Sequence, residues 1–212
     1  MLQQSISKNG LLLCVFALIT AGILAGTYEG TKSTIAQAEK KAAQKALLEI
    51  IPAERIDNDI LLETLPIPEK YWDMLGLTTG GDIHLARHQQ KTIAVIIPAV
   101  APDGYSGAIK LIVGVNRNGT IAGVRALSHT ETPGLGDKID TKKSDWILGF
   151  NQRSLSSPSN DNWQVKKDGG DFDQFTGATI TPRAVVGQVK RVLEFVQQQQ
   201  ISLFPQEKTT HE

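Results

Sequence analysis

The sequence predicts an α+β fold, an antiparallel sheet with packed helices, preceded by one N-terminal transmembrane helix. Three features carry this prediction. Residues 10–28 contain no charged side chain, residues 109–115 alternate apolar side chains before an Asn118-Gly119 turn, and valines recur at helical spacing over residues 185–196. The length of 212 residues leaves room for one ordinary domain and an appendage.

The N-terminal apolar run has the length of a membrane span. Its nineteen residues, 10–28, nearly cross a bilayer core at about 1.5 Å of helical rise per residue. A cleaved signal peptide is the alternative, with Lys8 as its charged region and residues 21–26 as the cleavage zone. The run exceeds the usual signal core and ends at Tyr28, a suitable interfacial anchor, so we predict a transmembrane helix over residues 10–28. Lys8 and the amino terminus favour a cytoplasmic segment 1–9, whereas Lys32, Lys40 and Lys41 after the span weaken this bias.

Residues 29–90 are predicted to form a stalk helix and a connecting segment. Residues 31–51 are rich in Ala, Lys, Gln and Glu, with apolar side chains at helical spacing, and Pro52 ends the pattern. The following residues have no clean periodicity. His84 and His88 lie after Gly80-Gly81, so we interpret them as surface histidines on a loop.

The folded domain is predicted over residues 91–203, with 204–212 as a polar tail. The β-branched residues 92–97 indicate a buried strand. Residues 109–115 and 120–127 are expected to pair as a hairpin, because Asn-Gly favours the tight turn between them.

A final helix is predicted to start with Thr181 as its N-cap and Pro182 at its first helical position. Its apolar stripe should pack on the sheet. The stripe consists of Val185, Val189, Val192 and Val196.

Composition excludes several classes of function. Twenty-two basic residues balance twenty-two acidic ones, so the chain lacks the basic field of a nucleic-acid-binding protein. The single cysteine, Cys14, can form neither an internal disulfide nor a thiolate metal cage. No nucleophile–base pair, P-loop or G-x-G-x-x-G fingerprint is present, so we predict no catalytic residue and no metal site.

Residues 176–181, Thr-Gly-Ala-Thr-Ile-Thr, carry the most informative pattern. They place three hydroxyls and two small residues directly before a helix, where unpartnered amides and the helix dipole favour an anion such as a phosphate. An ordinary strand-to-helix turn with Ser/Thr caps has the same composition, and residue types alone favour that reading.

Residues 131–136, Glu-Thr-Pro-Gly-Leu-Gly, form a second candidate loop after the hairpin. Glycines let the backbone approach a ligand closely, and the hydroxyl is able to bond a heterocycle. His129 and Glu131 together resemble a metal-site fragment, but they lack a third ligand. Trp146 is interpreted mainly as a core residue, with stacking on a bound ring as the secondary reading.

Residues 176–182, with Asp173 before them, resemble the [S/T]-G-A-T flavinylation motif of the FMN-binding domain family, as found in the G subunit of Rnf-type electron transport complexes. The resemblance covers nearly the whole chain and implies FMN attached covalently, through a phosphoester, to Thr179. A separate flavin transferase, using FAD, makes this bond in the family. The role of Asp173, in presenting Thr179 or capping the turn, stays open.

The same resemblance implies further flavin contacts. In the first loop these are Thr176, Gly177, Ala178 and Thr181, and in the E-T-P-G-L-G loop they are Glu131, Thr132, Gly134 and Leu135.

By resemblance, the chain is expected to be an electron-carrying subunit of a membrane complex that couples electron transfer between ferredoxin and NAD to Na⁺ or H⁺ translocation. The other subunits of that complex are its expected partners. The implied location is the bacterial inner membrane, as a single-pass protein with its soluble domain on the periplasmic side. The C subunit of the sodium-translocating NADH:quinone reductase, whose chains are typically longer, is the nearest alternative. A flavin-free, membrane-anchored assembly module is another.

Overall fold

The computed structural model describes residues 2–157 and 159–205. The chain divides into two compact units, one up to Ala42 and one from Ala43 onward. Helix α1 (Leu2–Ile50) makes up the first unit and enters the second. It contains an 18-residue window with a mean hydropathy of 2.2 that is not buried in the protein, so by length and composition it is able to cross a membrane.

The second unit is built on one antiparallel sheet of five strands, which lie side by side in chain order. The end of α1 and three later helices also belong to this unit, and short 3₁₀ turns connect the remaining segments. The strands are β1 (Thr64–Pro66), β2 (Asp82–His88), β3 (Lys91–Ala101), β4 (Ile109–Asn116) and β5 (Ile121–Ser128), and the helices are α2 (Trp72–Leu75), α3 (Ile180–Gln198) and α4 (Gln200–Leu203). The predicted α+β fold with an N-terminal apolar helix is confirmed.

The predicted hairpin is present as β4 and β5. Val113 pairs with Val124, and Gly119 has a φ of +81°, a left-handed conformation that favours glycine in the turn. The alternation over β4 also has the expected consequence. Its odd-numbered apolar residues share one buried cluster with the valines of α3, as the period of two in a strand requires.

Part of the opposite face of the sheet is buried as well. The end of α1 packs there on β2, β3 and β4 and forms a second apolar cluster. That cluster includes Ala46, Leu47, Ile50, Ile51, Ile60, Ala86, Ala94, Ile96 and Ile112.

Three local expectations differ from the structure. Two strands precede residue 91, because β2 pairs with β3 through contacts such as Leu85 with Val95. His84 and His88 therefore lie on a strand and not on a loop, and the Nδ1 atom of His84 lies 2.9 Å from the Ile60 carbonyl oxygen. Helix α3 begins at Ile180, so Thr179 occupies the N-cap position expected for Thr181.

A pair of glycines accommodates Ile50 on this second face. Gly114 and Gly123 are register partners on β4 and β5. A Cβ atom on Gly114 would lie 2.3 Å from Ile50 Cγ2, and one on Gly123 would lie 3.3 Å from Ile50 Cγ1. The absence of side chains at these positions therefore lets the end of α1 reach the sheet.

We predict that Gly114→Ala destabilises the domain by about 1–3 kcal/mol, the usual cost of overpacking a core. Denaturant unfolding of a chain beginning at residue 29 measures this. Gly187→Ala on α3 is the matched control, because its Cβ meets nothing within 4 Å and alanine is the better helix former by about 1 kcal/mol. In an Ile50→Ala background the cost of Gly114→Ala should fall. An unchanged cost would contradict the proposed contact.

We also predict that a chain beginning at residue 29 unfolds cooperatively without detergent, whereas one beginning at residue 53 does not. The shorter chain lacks residues 46–51 and exposes the apolar face formed in part by Ala94, Ile96 and Ile112. Binding of a hydrophobic dye and the thermal unfolding curve distinguish the two chains. Equal cooperativity in both would show that the helix end is dispensable.

Candidate functional site

Two loops meet at the N-terminus of α3. Residues 131–136 follow β5, and residues 176–179 lead directly into α3. A Cβ atom on Gly177 would lie 3.7 Å from Leu135 Cδ2, which is ordinary van der Waals contact. The fold therefore brings together the two segments that the sequence singled out.

Behind these loops lies a buried carboxylate, that of Glu131. Glu131 is 5% exposed and Thr181 is 0% exposed. The Thr181 hydroxyl donates a hydrogen bond to Glu131 Oε2, and the Ser106 amide donates one to Oε1 at 2.9 Å. Each carboxylate oxygen thus has a donor, which offsets part of the cost of burying the charge.

Two glycines leave room for this carboxylate. A Cβ atom on Gly136 would lie 2.7 Å from Glu131 Oε2 and 2.8 Å from Thr181 Oγ1. One on Gly104 would lie 2.9 Å from Glu131 Oε1. Distances under 3.0 Å are too short for a real Cβ atom, so larger residues at either position would displace the carboxylate or its partners.

Thr179 lies at the N-cap position of α3 and is half-buried. Its φ of −72° and ψ of −28° are already helical, and its carbonyl oxygen accepts a hydrogen bond from the Arg183 amide at 3.3 Å. Its side chain makes no capping hydrogen bond. The Thr179 hydroxyl is therefore not used to satisfy the first amides of the helix, which have no acceptor within the helix.

The rest of this loop is on the surface. Thr176 and Gly177 are exposed, Ala178 is half-buried, and Gly177 has a φ of +79°, which favours glycine. The Ala178 amide donates to the Phe175 carbonyl oxygen at 3.1 Å and closes the turn. This geometry presents the loop to solvent immediately before the helix.

The loop of residues 131–136 turns tightly around one carbonyl group. The Thr132 carbonyl oxygen accepts hydrogen bonds from the amides of Leu135 and Gly136, both at 3.1 Å. Thr132, Gly134 and Leu135 are exposed beside the first loop. The predicted site residues thus differ in burial, because Glu131 and Thr181 are buried whereas the others are exposed or half-buried.

Arg183 is the basic residue in the first turn of α3, and it is already paired. Its guanidinium group donates to the Asp168 carboxylate at 2.6 and 2.9 Å. The hydrogen bond to Arg183 holds the pKa of Asp168 below its ordinary value, and the same contact raises the pKa of Arg183. An anion at Thr179 would therefore interact mainly with the helix amides, because the Arg183 guanidinium group is already bonded to Asp168.

Trp146 contacts the start of the loop that precedes α3. Its Nε1 atom donates to the Asp173 carbonyl oxygen at 2.7 Å, and its ring meets Phe175 edge to face with centroids 5.0 Å apart. The Asp173 carboxylate lies 2.6 Å from Lys166 Nζ. These contacts assign Trp146 and Asp173 structural partners within the domain.

The segment of residues 104–107 was not singled out by its sequence. Besides the Ser106 amide, it contributes the Ser106 carbonyl oxygen, which accepts a hydrogen bond from the Thr130 hydroxyl at 2.8 Å. The available signal was the Gly-Tyr-Ser-Gly pattern between β3 and β4. It did not show which distant residue these groups contact.

Within residues 2–157 and 159–205, no group of three His, Cys, Asp or Glu side chains is arranged to hold a metal ion. The ring of His129 is engaged locally, because its Nδ1 atom accepts a hydrogen bond from the Glu131 amide at 3.2 Å.

Comparisons with known protein families agree with this arrangement. A family model described as FMN-binding domain matches residues 104–194, which include both loops, Ser106 and most of α3. A second, described as RnfG N-terminal region, matches residues 1–50. The chain is thus a flavin-binding protein with an apolar N-terminal helix.

Curated relatives identify the family. A protein of Vibrio cholerae is 48% identical over 202 residues, covering 95% of each chain. One from Shewanella amazonensis is 47% identical over 203 residues, covering 96% of this chain and 94% of the relative. Both are named as the G subunit of an ion-translocating oxidoreductase complex. This chain belongs to that family, which favours the Rnf-type assignment over the alternative in the sodium-translocating NADH:quinone reductase.

Proposed function

We propose that this chain carries electrons within a membrane complex that couples electron transfer between ferredoxin and NAD to ion translocation, using FMN attached covalently to Thr179. The observation that supports attachment at this residue is that the Thr179 hydroxyl is not used as a helix cap. This hydroxyl stands at the start of a 19-residue helix, half-buried, and makes no capping hydrogen bond. Such a hydroxyl is accessible to modification without loss of a helix cap.

The surrounding residues fit a flavin phosphate. An ester at Thr179 would place negative charge beside the first amides of α3, where the helix dipole stabilises anions. Gly177 and Ala178 keep side-chain bulk away from the attachment point. Thr176, Thr132, Gly134 and Leu135 supply an adjoining exposed surface for the remainder of the cofactor. Glu131 and Thr181 then support this surface from inside.

The attachment step balances without a change of oxidation state. The Thr179 oxygen bonds to the flavin-side phosphorus of FAD, the bond from that phosphorus to the bridging oxygen breaks, AMP leaves, and the hydroxyl proton is released. A separate flavin transferase is proposed to catalyse this step. Bound FMN supplies one- and two-electron redox chemistry, and the chain's own residues hold and orient it.

We further propose that α1 anchors the chain in the inner membrane with residues 1–9 in the cytoplasm and the domain in the periplasm. Support comes from the uncharged span of residues 10–28 and from Lys8 before it, since basic residues favour the cytoplasmic side. An ion-translocating complex also requires a membrane for its activity. The other subunits of that complex are the proposed partners.

We predict that Thr179→Ala yields a folded, membrane-bound protein with no fluorescent flavin on a denaturing gel. The ester oxygen is lost, while little packing changes at this half-buried position. Intact mass after co-expression with a flavin transferase should show FMN less one water on the wild-type chain and not on the variant. Thr176→Ala is the matched control, because its exposed hydroxyl lies in the same loop and should not be required. Retained fluorescence in Thr179→Ala, or equal loss in both variants, would refute the assignment.

We predict that a reporter active only outside the cytoplasm is active when joined after Glu212. A reporter active only inside the cytoplasm should be inactive at the same position, and the two reporters should show the opposite pattern when joined before residue 10. Good expression with the reversed pattern would place the domain in the cytoplasm.

A further inference from the structure

We infer that Glu131 and Thr181 are positioning residues, whose buried hydrogen bond sets the loop of residues 176–179 in the conformation that accepts flavin. This inference rests on the proposed attachment at Thr179 and goes beyond it. It assigns the two residues a role in presenting the acceptor hydroxyl, in place of direct contact with the cofactor.

The protein encloses both side chains of this pair. Thr181 is 0% exposed and Glu131 is 5% exposed, and each is the hydrogen-bond partner of the other. A group as large as a flavin cannot reach side chains that are enclosed in this way. Their effect on an external ligand must therefore pass through the backbone segments to which they belong.

Thr181 is also close to the acceptor residue along the chain. Thr181 lies in the first turn of α3, two residues after Thr179, and the Arg183 amide already bonds the Thr179 carbonyl oxygen. Fixing Thr181 therefore fixes the first turn and the direction in which the Thr179 side chain leaves it. The same carboxylate is bonded to the Ser106 amide, 25 residues before it. Helix α3 is thereby tied to two separate loops.

Little free space surrounds the hydrogen bond between Glu131 and Thr181. Gly136 and Gly104 lie so close to the carboxylate that a Cβ atom at either position would overlap it. Leu135, next to Gly136, lies within contact distance of the Gly177 Cβ position. A shift of the carboxylate would therefore disturb both loops together.

The choice of chemistry also favours positioning over simple stability. An apolar pair of similar volume would fill this space without the cost of burying a carboxylate. A hydrogen bond differs from apolar packing because it is directional and defines one orientation of the helix start. A defined orientation is needed at Thr179, because its hydroxyl must be presented to the active site of a separate enzyme.

The test measures flavin incorporation by a purified flavin transferase with FAD, using full-length, flavin-free chains in detergent. Thr181→Val keeps the shape of the side chain and removes its hydroxyl. We expect kcat/KM to fall about tenfold, as for the loss of a hydrogen bond to a charged group. The fall should appear in KM, since only the competent fraction of the acceptor loop binds productively. Thr181→Ser restores the hydroxyl and should return kcat/KM to within about twofold of the wild type.

Gly114→Ala is the control for stability, because it destabilises the opposite face of the sheet. Below its melting temperature it should accept flavin at the wild-type rate. The inference is overturned if Thr181→Val retains the wild-type KM. It is also overturned if Thr181→Val and Gly114→Ala are equally stable and Thr181→Val incorporates flavin no more slowly than Gly114→Ala. Introducing Gly187→Ala on α3 compensates for lost stability if Thr181→Val folds poorly.

Glu131→Gln decides the question if Thr181→Val does not fold even then. Its amide oxygen accepts from the Ser106 amide, and its NH₂ group donates to Thr181, so positioning predicts a rate within about twofold of the wild type. A tenfold loss would instead show that the carboxylate charge itself is needed and would overturn the inference.

Wild-type and Thr179→Ala chains report separately on the attachment site. If the wild-type chain accepts no flavin, the proposed function fails. If the wild type and Thr181→Val accept flavin equally well, only the positioning role is refuted.

Discussion

The candidate site depends on one buried carboxylate, that of Glu131. Removing a carboxylate from water costs several kcal/mol unless hydrogen-bond donors replace its hydration. The Ser106 amide and the Thr181 hydroxyl are those donors, one at each oxygen. They come from positions 25 and 50 residues away along the chain, so the charge is satisfied only when the whole domain has folded. The arrangement of the two surface loops is therefore a consequence of the global fold and not of local turn preferences.

The sheet supports this arrangement, because one of its faces and part of the other are buried. Helix α3 packs on one face, and the end of α1 packs on the other. The Gly114–Gly123 pair lets Ile50 approach the second face closely. Burial on both faces explains why β3 and β4 are apolar along most of their length, as is typical of central strands.

Local patterns predicted the elements that local physics dictates. The period of two with Asn118-Gly119 located the β4–β5 hairpin, and the valine stripe located α3, because each pattern is satisfied within a few residues. Strand β2 was missed since its polar ends and the preceding Gly80-Gly81 suggest a loop, whereas pairing with β3 makes it a strand. The Glu131–Thr181 hydrogen bond was missed for a related reason, since it joins residues 50 positions apart. The sequence motifs assigned both Glu131 and Thr181 to the site, but only the fold shows that their side chains are hydrogen-bonded to each other.

The exposure of the loops bears on why attachment at Thr179 is proposed to be covalent. Noncovalent association costs an estimated 4–15 kcal/mol or more in lost translational and rotational freedom, and affinity requires contacts that exceed this. Here the Thr181 hydroxyl is committed to Glu131 and the Arg183 guanidinium group to Asp168. A phosphate placed at the start of α3 would therefore depend on helix amides and the dipole, which contribute about 0.3–1 kcal/mol. That contribution is too small to retain a cofactor by itself, so a covalent ester would be consistent with loops in which Thr132, Leu135 and Thr176 are exposed.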